Sequence, residues 1–316
     1  MSKQVSRAQL RANKNINAQK SRLTKREIAL YLMIAPALLL YLVFHYIPLP
    51  GIAIAFADYR VGGFRGWVGW DNFRYAFNLT FFWKAFKNTW RFTILNYIFG
   101  FPAPIIFALL LNELRIKSFK KTVQTISTLP NFISWVVIGG MFISLLSPST
   151  GYVNSVIRLF GGEPIYFLSK PKLFPWLFTL MRIWKGVGYG SIIYLAALAG
   201  VDPELYEATV IDGANRWQQT IHITLPGIKP TILIKFVLSF SSAMAGLFTP
   251  MYVLKNPMIA ETAETLGTYT YNVGLIKARY SLSTAIGLFK SSISLVLIII
   301  TNIISKHMTE DGRSIL

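Results

Sequence analysis

The sequence predicts an all-α polytopic membrane protein with six transmembrane helices. Hydrophobic residues make up 53% of the 316-residue chain, charged residues make up 14%, and the mean hydropathy is +0.46. A soluble domain usually carries more charge and less apolar surface. Apolar runs long enough to cross a hydrocarbon core, which takes about 20 helical residues, occur at 28–57, 92–112, 126–146, 173–200, 231–254 and 281–304.

The distribution of basic residues predicts which loops face the cytoplasm. Residues 1–27 carry eight Lys or Arg against one Glu, which is typical of a cytoplasmic tail. With residues 28–316 forming the membrane domain, six spans place both termini in the cytoplasm. The basic loop around Lys117 and the polar interruption at 202–228 fall on the same side.

That polar interruption predicts two short helices separated by a bend. Asp202 can accept the free amides of a first helical turn, and Pro203 is tolerated at the first helical position. Gly213 can take the left-handed conformation that ends a helix. Pro226 and Pro230 are expected to limit the second helix.

The spacing of this loop resembles the EAA loop of permeases from binding-protein-dependent ABC importers. Glu207-Ala-Thr is followed by three residues, Gly213, nine residues, and Ile-x-Leu-Pro ending at Pro226. Thr209 stands where the family usually has Ala, and Thr220 where many sugar permeases have Phe. The resemblance implies docking to an ATP-hydrolysing subunit, through Glu207, Ala208, Asp212, Gly213, Ala214, Ile223, Leu225 and Pro226.

The likeness extends over about residues 25–310, through segments 44–59, 99–114, 119–140 and 194–219. These segments resemble the permease branch for complex and acidic oligosaccharides, including alginate importers. The resemblance implies a type I importer working by alternating access in the bacterial inner membrane. Its partners would be a second, homologous permease chain, two ATP-binding subunits and an extracytoplasmic solute-binding protein.

Catalytic machinery is not visible in the sequence. The chain has no Gly-Lys dipeptide for a phosphate-binding loop, so ATP and Mg are expected on the partner subunits. It has no Cys and only three scattered His, which makes a metal or nucleophile site improbable. We therefore expect a non-catalytic subunit that binds no cofactor itself. The net charge of +19 is spread over loops and does not predict a nucleic-acid groove.

Cations inside the apolar runs suggest an acidic cargo. Charged residues in spans are costly and tend to face a cavity. Three Gly at alternate positions, 186, 188 and 190, either break the fourth span near a transport site or let helices pack closely. Lys235 can snorkel to the cytoplasmic surface. We hypothesise that the pathway for carboxylated sugars includes Arg182, Trp184, Lys185, Tyr189 and Lys290.

Two other classes remain as alternatives. An ion-coupled secondary transporter needs intramembrane carboxylates and usually an internal repeat, and neither is visible in the predicted spans. A membrane-embedded transferase needs paired carboxylates or a His constellation at one membrane face. The carboxylates of this sequence cluster instead in the loop at 202–228.

Overall fold

The computed structural model describes residues 25–242, 244 and 246–308. The chain divides into two compact units, with the boundary between Ala53 and Ile54. Within the first unit, helix α1 (Lys25–Tyr41) continues through a π-helical turn at Leu42–Tyr46. A 3₁₀ segment, Leu49–Phe56, follows. Most of the predicted cytoplasmic tail, residues 1–24, lies outside the described residues.

The second unit opens with an antiparallel hairpin and is otherwise built from helices. The hairpin joins β1 (Ala57–Arg60) to β2 (Gly63–Trp67). The helices in chain order are α2 (Asp71–Asn78), α3 (Thr80–Leu95), α4 (Pro102–Asn112), α5 (Lys117–Thr128), α6 (Trp135–Leu145), α7 (Tyr152–Leu159), α8 (Phe174–Leu198), α9 (Pro203–Ile211), α10 (Arg216–Gln219), α11 (Leu225–Ser242), α12 (Phe248–Leu254), α13 (Ala260–Ala263), α14 (Leu266–Tyr271) and α15 (Tyr280–Met308).

The all-α fold is confirmed, but six continuous spans are not. In the described part of the chain, four helical segments are long and apolar enough to cross a membrane: Ile28–Phe56, Thr80–Asn112, Arg216–Phe240 and Tyr280–Ile303. A bent pair of helices would make a fifth. Helix α8 has 25 residues, enough to span, but its two cations and three Gly lower its hydropathy.

The second span begins earlier than predicted. Helices α3 and α4 are joined by a π-helical turn, Asn96–Gly100, into one segment of 33 residues. The polar residues between Lys84 and Arg91 conceal this start in a hydropathy reading. A continuous helix of that length reaches about 50 Å, well beyond the hydrocarbon thickness.

The third predicted span, 126–146, is not a continuous helix. The segments Lys117–Phe132 and Trp135–Leu145 meet at an angle of 104°. Pro130 lies in a 3₁₀ turn ahead of the bend, and the Ser134 side chain caps the new helix by accepting from the Val137 amide. Proline and an N-cap residue so close together end one helix and start another.

The fifth predicted span, 231–254, is displaced. Its helix runs from Arg216 to Phe240 as a candidate span, and residues 248–254 form the separate helix α12. Pro250 lies in the first turn of α12, where its missing amide costs little. The π-helical turn Thr220–Thr224 leads directly into α11, so Pro226 and Pro230 lie inside a continuing helix.

Helix α8 lies at the centre of the second unit. It packs against α4, α5 and α11. Phe178 belongs to a buried cluster shared with α3 and α12, and Tyr194 belongs to another shared with α4 and α11. The side chains of α8 are therefore positioned from several directions at once.

The two ends of the helical bundle can be identified from contacts. Arg216, at the start of α10, lies 3.8 Å from Glu113, directly after α4. The loop at 202–224 therefore adjoins the far end of the segment that begins at Thr80. At the near end, Ser281 at the start of α15 accepts from the Tyr59 amide and donates to the Tyr59 carbonyl. The hairpin and the loop at 202–224 thus lie at opposite ends.

Candidate coupling loop and translocation site

The first helix of the polar loop forms as the sequence predicts. The Asp202 side chain accepts from the Glu204 amide at 3.0 Å, and Pro203 occupies the first helical position. Gly213 follows the helix with φ +75°. The amide of Ala214 then bonds to the Thr209 carbonyl, which closes the left-handed turn. The bend at Gly213 is confirmed.

The second helix of the loop is held by a capping box at its start and by a contact between the residues that flank it. Asn215 and Gln218 form a capping box, with reciprocal bonds of 2.9 and 2.8 Å. The hydroxyls of Tyr206 in α9 and Thr224 in the π-helical turn lie 3.0 Å apart. These contacts fix α9 against the base of α11, which belongs to the candidate span Arg216–Phe240.

Most of the predicted docking residues form an exposed ridge. Five are exposed and three are half-buried. Of the half-buried residues, Leu225 packs against the cluster around Tyr194. The exposed set is Glu207, Ala208, Asp212, Gly213 and Pro226, and the half-buried set is Ala214, Ile223 and Leu225.

Apolar side chains on the same ridge were missed by the sequence reasoning. Ile211 is 87% exposed, Trp217 is 72% exposed and Val210 is 64% exposed. The sequence signal for them was the presence of large apolar residues in a polar turn outside the predicted spans. An exposed apolar patch with a polar rim is typical of a protein interaction site.

Lys185 has partners that the sequence did not predict. Its ammonium donates to the carbonyls of Pro130, Asn131 and Ile133 at 3.1, 2.9 and 2.5 Å. These carbonyls belong to the bend between α5 and α6. The ammonium also lies 5.7 Å from the Trp135 ring centroid. All three N–H donors are engaged, so in this conformation Lys185 stabilises the bend.

Trp184 and Tyr189 lie beside the same bend. Trp184 packs edge-on against Phe142 of α6, with ring centroids 5.6 Å apart. Tyr189 packs edge-on against Phe132, at 6.2 Å. Both side chains remain exposed on their other faces, so each can still offer a surface to a sugar ring.

Arg182 and Lys290 have no carboxylate partner in the described part of the chain, and Lys185 has carbonyl partners alone. The Arg182 guanidinium lies 5.9 Å from the Phe178 ring centroid and faces Gly246. Lys290 is half-buried on α15. Arg182 is three residues from Lys185, yet the two head groups have different neighbours. They therefore do not form one cationic site.

Two of the three glycines of α8, Gly188 and Gly190, allow close packing. The helix is continuous through Gly186, Gly188 and Gly190, so the predicted break is not seen. A Cβ on Gly188 would stand 2.2 Å from the Ser127 carbonyl, and one on Gly190 would stand 3.0 Å from Pro104. Gly186 has open space instead. Packing partners elsewhere in the chain hold the helix together across these residues.

Comparison with known proteins identifies the family of this architecture. The family described as "Binding-protein-dependent transport system inner membrane component" matches residues 100–310. The polygalacturonan/rhamnogalacturonan transport system permease protein YteP of Bacillus subtilis is 43% identical, over 90% of this chain and 89% of that protein.

Two crystal structures share the fold. A bacterial ABC transporter involved in import of the acidic polysaccharide alginate has a TM-score of 0.85 and 40% identity, covering 90% of this chain and 98% of that chain. A bacterial alginate ABC transporter in complex with an alginate pentasaccharide-bound periplasmic protein has a TM-score of 0.84 and 40% identity, covering 90% and 96%. The chain is therefore a member of the binding-protein-dependent transport family, a permease component of an ABC transporter.

Proposed function

We propose that this chain forms half of the membrane pathway of an ATP-driven importer of acidic oligosaccharides. The helical ridge at 202–224, fixed to a membrane-crossing helix, is the observation that carries this proposal. It supports a role in which force is received from an ATP-hydrolysing partner. ATP and Mg would be bound by that partner.

The coupling site comprises the exposed ridge and its apolar side chains. Glu207 and Asp212 supply charge, whereas Ile211 and Trp217 supply apolar area. Interfaces of this kind derive most of their affinity from a few large side chains surrounded by a polar rim. Because Gly213 sets the direction of the ridge, its left-handed conformation is part of the site.

The cargo proposal depends on relatives and on intramembrane cations. Proteins similar to this chain carry polygalacturonan, rhamnogalacturonan or alginate in their names, and these polymers contain uronic acids. Arg182 and Lys290 offer positive charge without a carboxylate partner in the described residues. A cation in such a place lowers the free energy of a carboxylate passing it.

The role proposed for Lys185 differs from direct cargo binding. Its ammonium is held by three carbonyls at the bend, and Trp184 and Tyr189 flank it on the same helix. We assign Lys185 to positioning this bend, and Trp184 and Tyr189 to stacking against pyranose rings.

Membership of the family supports the assembly that we propose. The partners are a solute-binding protein outside the bacterial inner membrane, a second homologous permease and two ATP-binding subunits. A pulldown of the tagged chain from its native membrane tests this composition. A stoichiometric ATP-binding partner supports the importer, and its absence would favour the secondary transporter or the transferase.

Uptake into sealed vesicles tests the energy source. The complex should import a uronate oligosaccharide when ATP is supplied on the ATPase side, and collapse of ion gradients should leave uptake unchanged. Uptake that needs an ion gradient and ignores ATP would show a secondary transporter.

A further inference from the structure

Two adjoining cavities lie at the end of the bundle opposite the proposed coupling loop, residues 202–224. The larger, about 690 Å³, lies between the hairpin, α2 and the turn ahead of α15. The smaller, about 430 Å³, lies between α3, α13, α14 and the same turn, and the carboxylates Glu261 and Glu264 are among its lining residues. Tyr75, Lys277 and Arg279 line both. Both volumes fall in the range of small-molecule sites.

The larger cavity carries excess positive charge. Its charged lining residues are Arg60, Arg65, Lys277, Arg279 and one carboxylate, Asp58. Asp58 pairs with Arg60 at 3.0 Å. The other three cations have no carboxylate partner among the described residues, and Arg279 donates only to the neutral Tyr75 hydroxyl, at 3.1 Å. A concave wall of unpaired cations attracts anions.

The cationic wall is built into the fold. Ala278, between Lys277 and Arg279, has φ +52°, and it is the one non-glycine residue with positive φ in the part of the chain that the structure describes. The amides of Lys277 and Arg279 bond to the carbonyls of Asn272 and Val273. These bonds hold a strained turn that places both cations on the same cavity.

The opposite wall of the cavity is also fixed. The Asn72 side chain donates to the carbonyls of Ala55 and Ala57, both at 2.9 Å. Ser281 exchanges hydrogen bonds with the Tyr59 main chain. The hairpin, α2 and α15 therefore move together, and the cavity needs little reorganisation to receive a ligand.

We propose that the larger cavity, the outer basic cavity, binds the carboxylates of an acidic oligosaccharide before it enters the membrane pathway. This inference rests on the proposed importer function. Arg65 and Arg279 present planar guanidinium groups that match a carboxylate in shape, and Tyr59 and Tyr75 line the same space, where their rings can stack on pyranoses. Uronate residues carry one carboxylate each, so several cations can be engaged in succession.

Direct binding tests the proposal. The intact complex, in nanodiscs of zwitterionic lipid and without the solute-binding protein, is titrated with trigalacturonate and with neutral galactotriose. The wild-type complex should bind trigalacturonate more tightly than galactotriose, and its affinity for trigalacturonate should fall as the salt concentration rises. The double variant Arg65→Gln, Lys277→Gln should bind trigalacturonate about tenfold more weakly.

A matched control uses Lys170→Gln with Lys172→Gln. These exposed lysines precede α8, at the end of the bundle opposite the coupling loop and outside the cavities, so the same loss of charge should leave binding unchanged. The proposal is overturned if the Arg65 and Lys277 double variant binds trigalacturonate as tightly as wild type. It is also overturned if the control variant loses as much affinity as the double variant.

Two further arms separate other anion sources. Anionic lipid in the nanodisc that abolishes trigalacturonate binding would assign the cavity to lipid phosphate. ATPase stimulation by the solute-binding protein is also compared between wild type and the Arg65 and Lys277 double variant. If the double variant loses stimulation equally with neutral and with acidic sugar, the cavity belongs to the docking site of the binding protein. Either result overturns the proposal. Trigalacturonate binding by a complex that never imports uronates would instead refute the proposed function alone.

Discussion

Lys185 donates a hydrogen bond of 2.5 Å to the carbonyl of Ile133, at the 104° bend between α5 and α6. The carbonyls of Pro130 and Asn131 accept its other two donors. The end of a helix leaves carbonyls without intrahelical partners, and the Lys185 ammonium has three N–H donors to offer them. Each group therefore satisfies the other, without a carboxylate.

Replacing Lys185 with Met should destabilise the bend. The carbonyls lose their shared donor, and a hydrogen bond to a charged group contributes about 1.5–3 kcal/mol. We expect a lower Tm of the purified complex and reduced uptake of acidic and neutral oligosaccharides alike. Thermal unfolding and uptake assays on the same preparation measure both effects.

Lys235→Met is the matched control, because Lys235 is half-buried on α11 and the described residues offer it no partner. It should change the Tm much less. Selective loss of acidic uptake in the Lys185 variant, with unchanged Tm, would return Lys185 to a role in cargo binding.

Replacing Arg182 with Gln should affect acidic cargo selectively. The guanidinium has no carboxylate partner among the described residues, so its charge is available to a passing uronate. We expect the uronate concentration for half-maximal uptake to rise about tenfold, with neutral uptake unchanged. Arg182→Lys, which keeps the positive charge, should bring the uronate concentration for half-maximal uptake back towards the wild-type value. Equal changes for both cargoes would mean that Arg182 is structural.

Replacing Gly213 with Val should uncouple ATP hydrolysis from transport. Gly213 has φ +75°, and a Cβ there would meet no atom within 4 Å. The cost is therefore backbone strain, about 1–2 kcal/mol for an ordinary residue, and not a clash. Gly213→Asn is the control, because Asn tolerates this conformation. Normal sugar-stimulated hydrolysis in the Val variant would contradict the proposed role of the bend.

Replacing Trp217 with Ala should weaken binding of the ATP-hydrolysing subunit. An aromatic anchor in an interface contributes about 2 kcal/mol or more, so we expect roughly 30-fold lower affinity. Phe160→Ala, which changes an exposed aromatic side chain directly after α7, is the control. Subunit retention on an affinity resin at rising dilution gives the comparison. Equal retention of both variants would exclude Trp217 from the interface.

Local signals in the sequence predict the coupling loop well. Asp202 as a cap and Gly213 at positive φ follow from preferences of the residues themselves. The limit set on the second helix was wrong, because the π-helical turn leads directly into α11, which holds Pro226 in its first turn and continues through Pro230. The start of the second span was missed because polar residues lie in its first turns.

Long-range contacts account for what the sequence could not predict. Lys185 was expected to face cargo because the carbonyls that hold it lie more than 50 residues away. Gly188 was expected to weaken α8, but its packing partner, Ser127, is equally remote in sequence. The cations of the outer basic cavity lie in two loops that only the fold brings together.

ATP hydrolysis by the complex assembled in lipid gives the most direct measurement of the proposed function. The reaction is titrated with solute-binding protein loaded with uronate oligosaccharide or with a neutral oligosaccharide of equal length. We expect strong stimulation by the uronate form and little by the neutral form. Stimulation by the neutral form alone would contradict the acidic cargo, and no stimulation by either would contradict the importer itself.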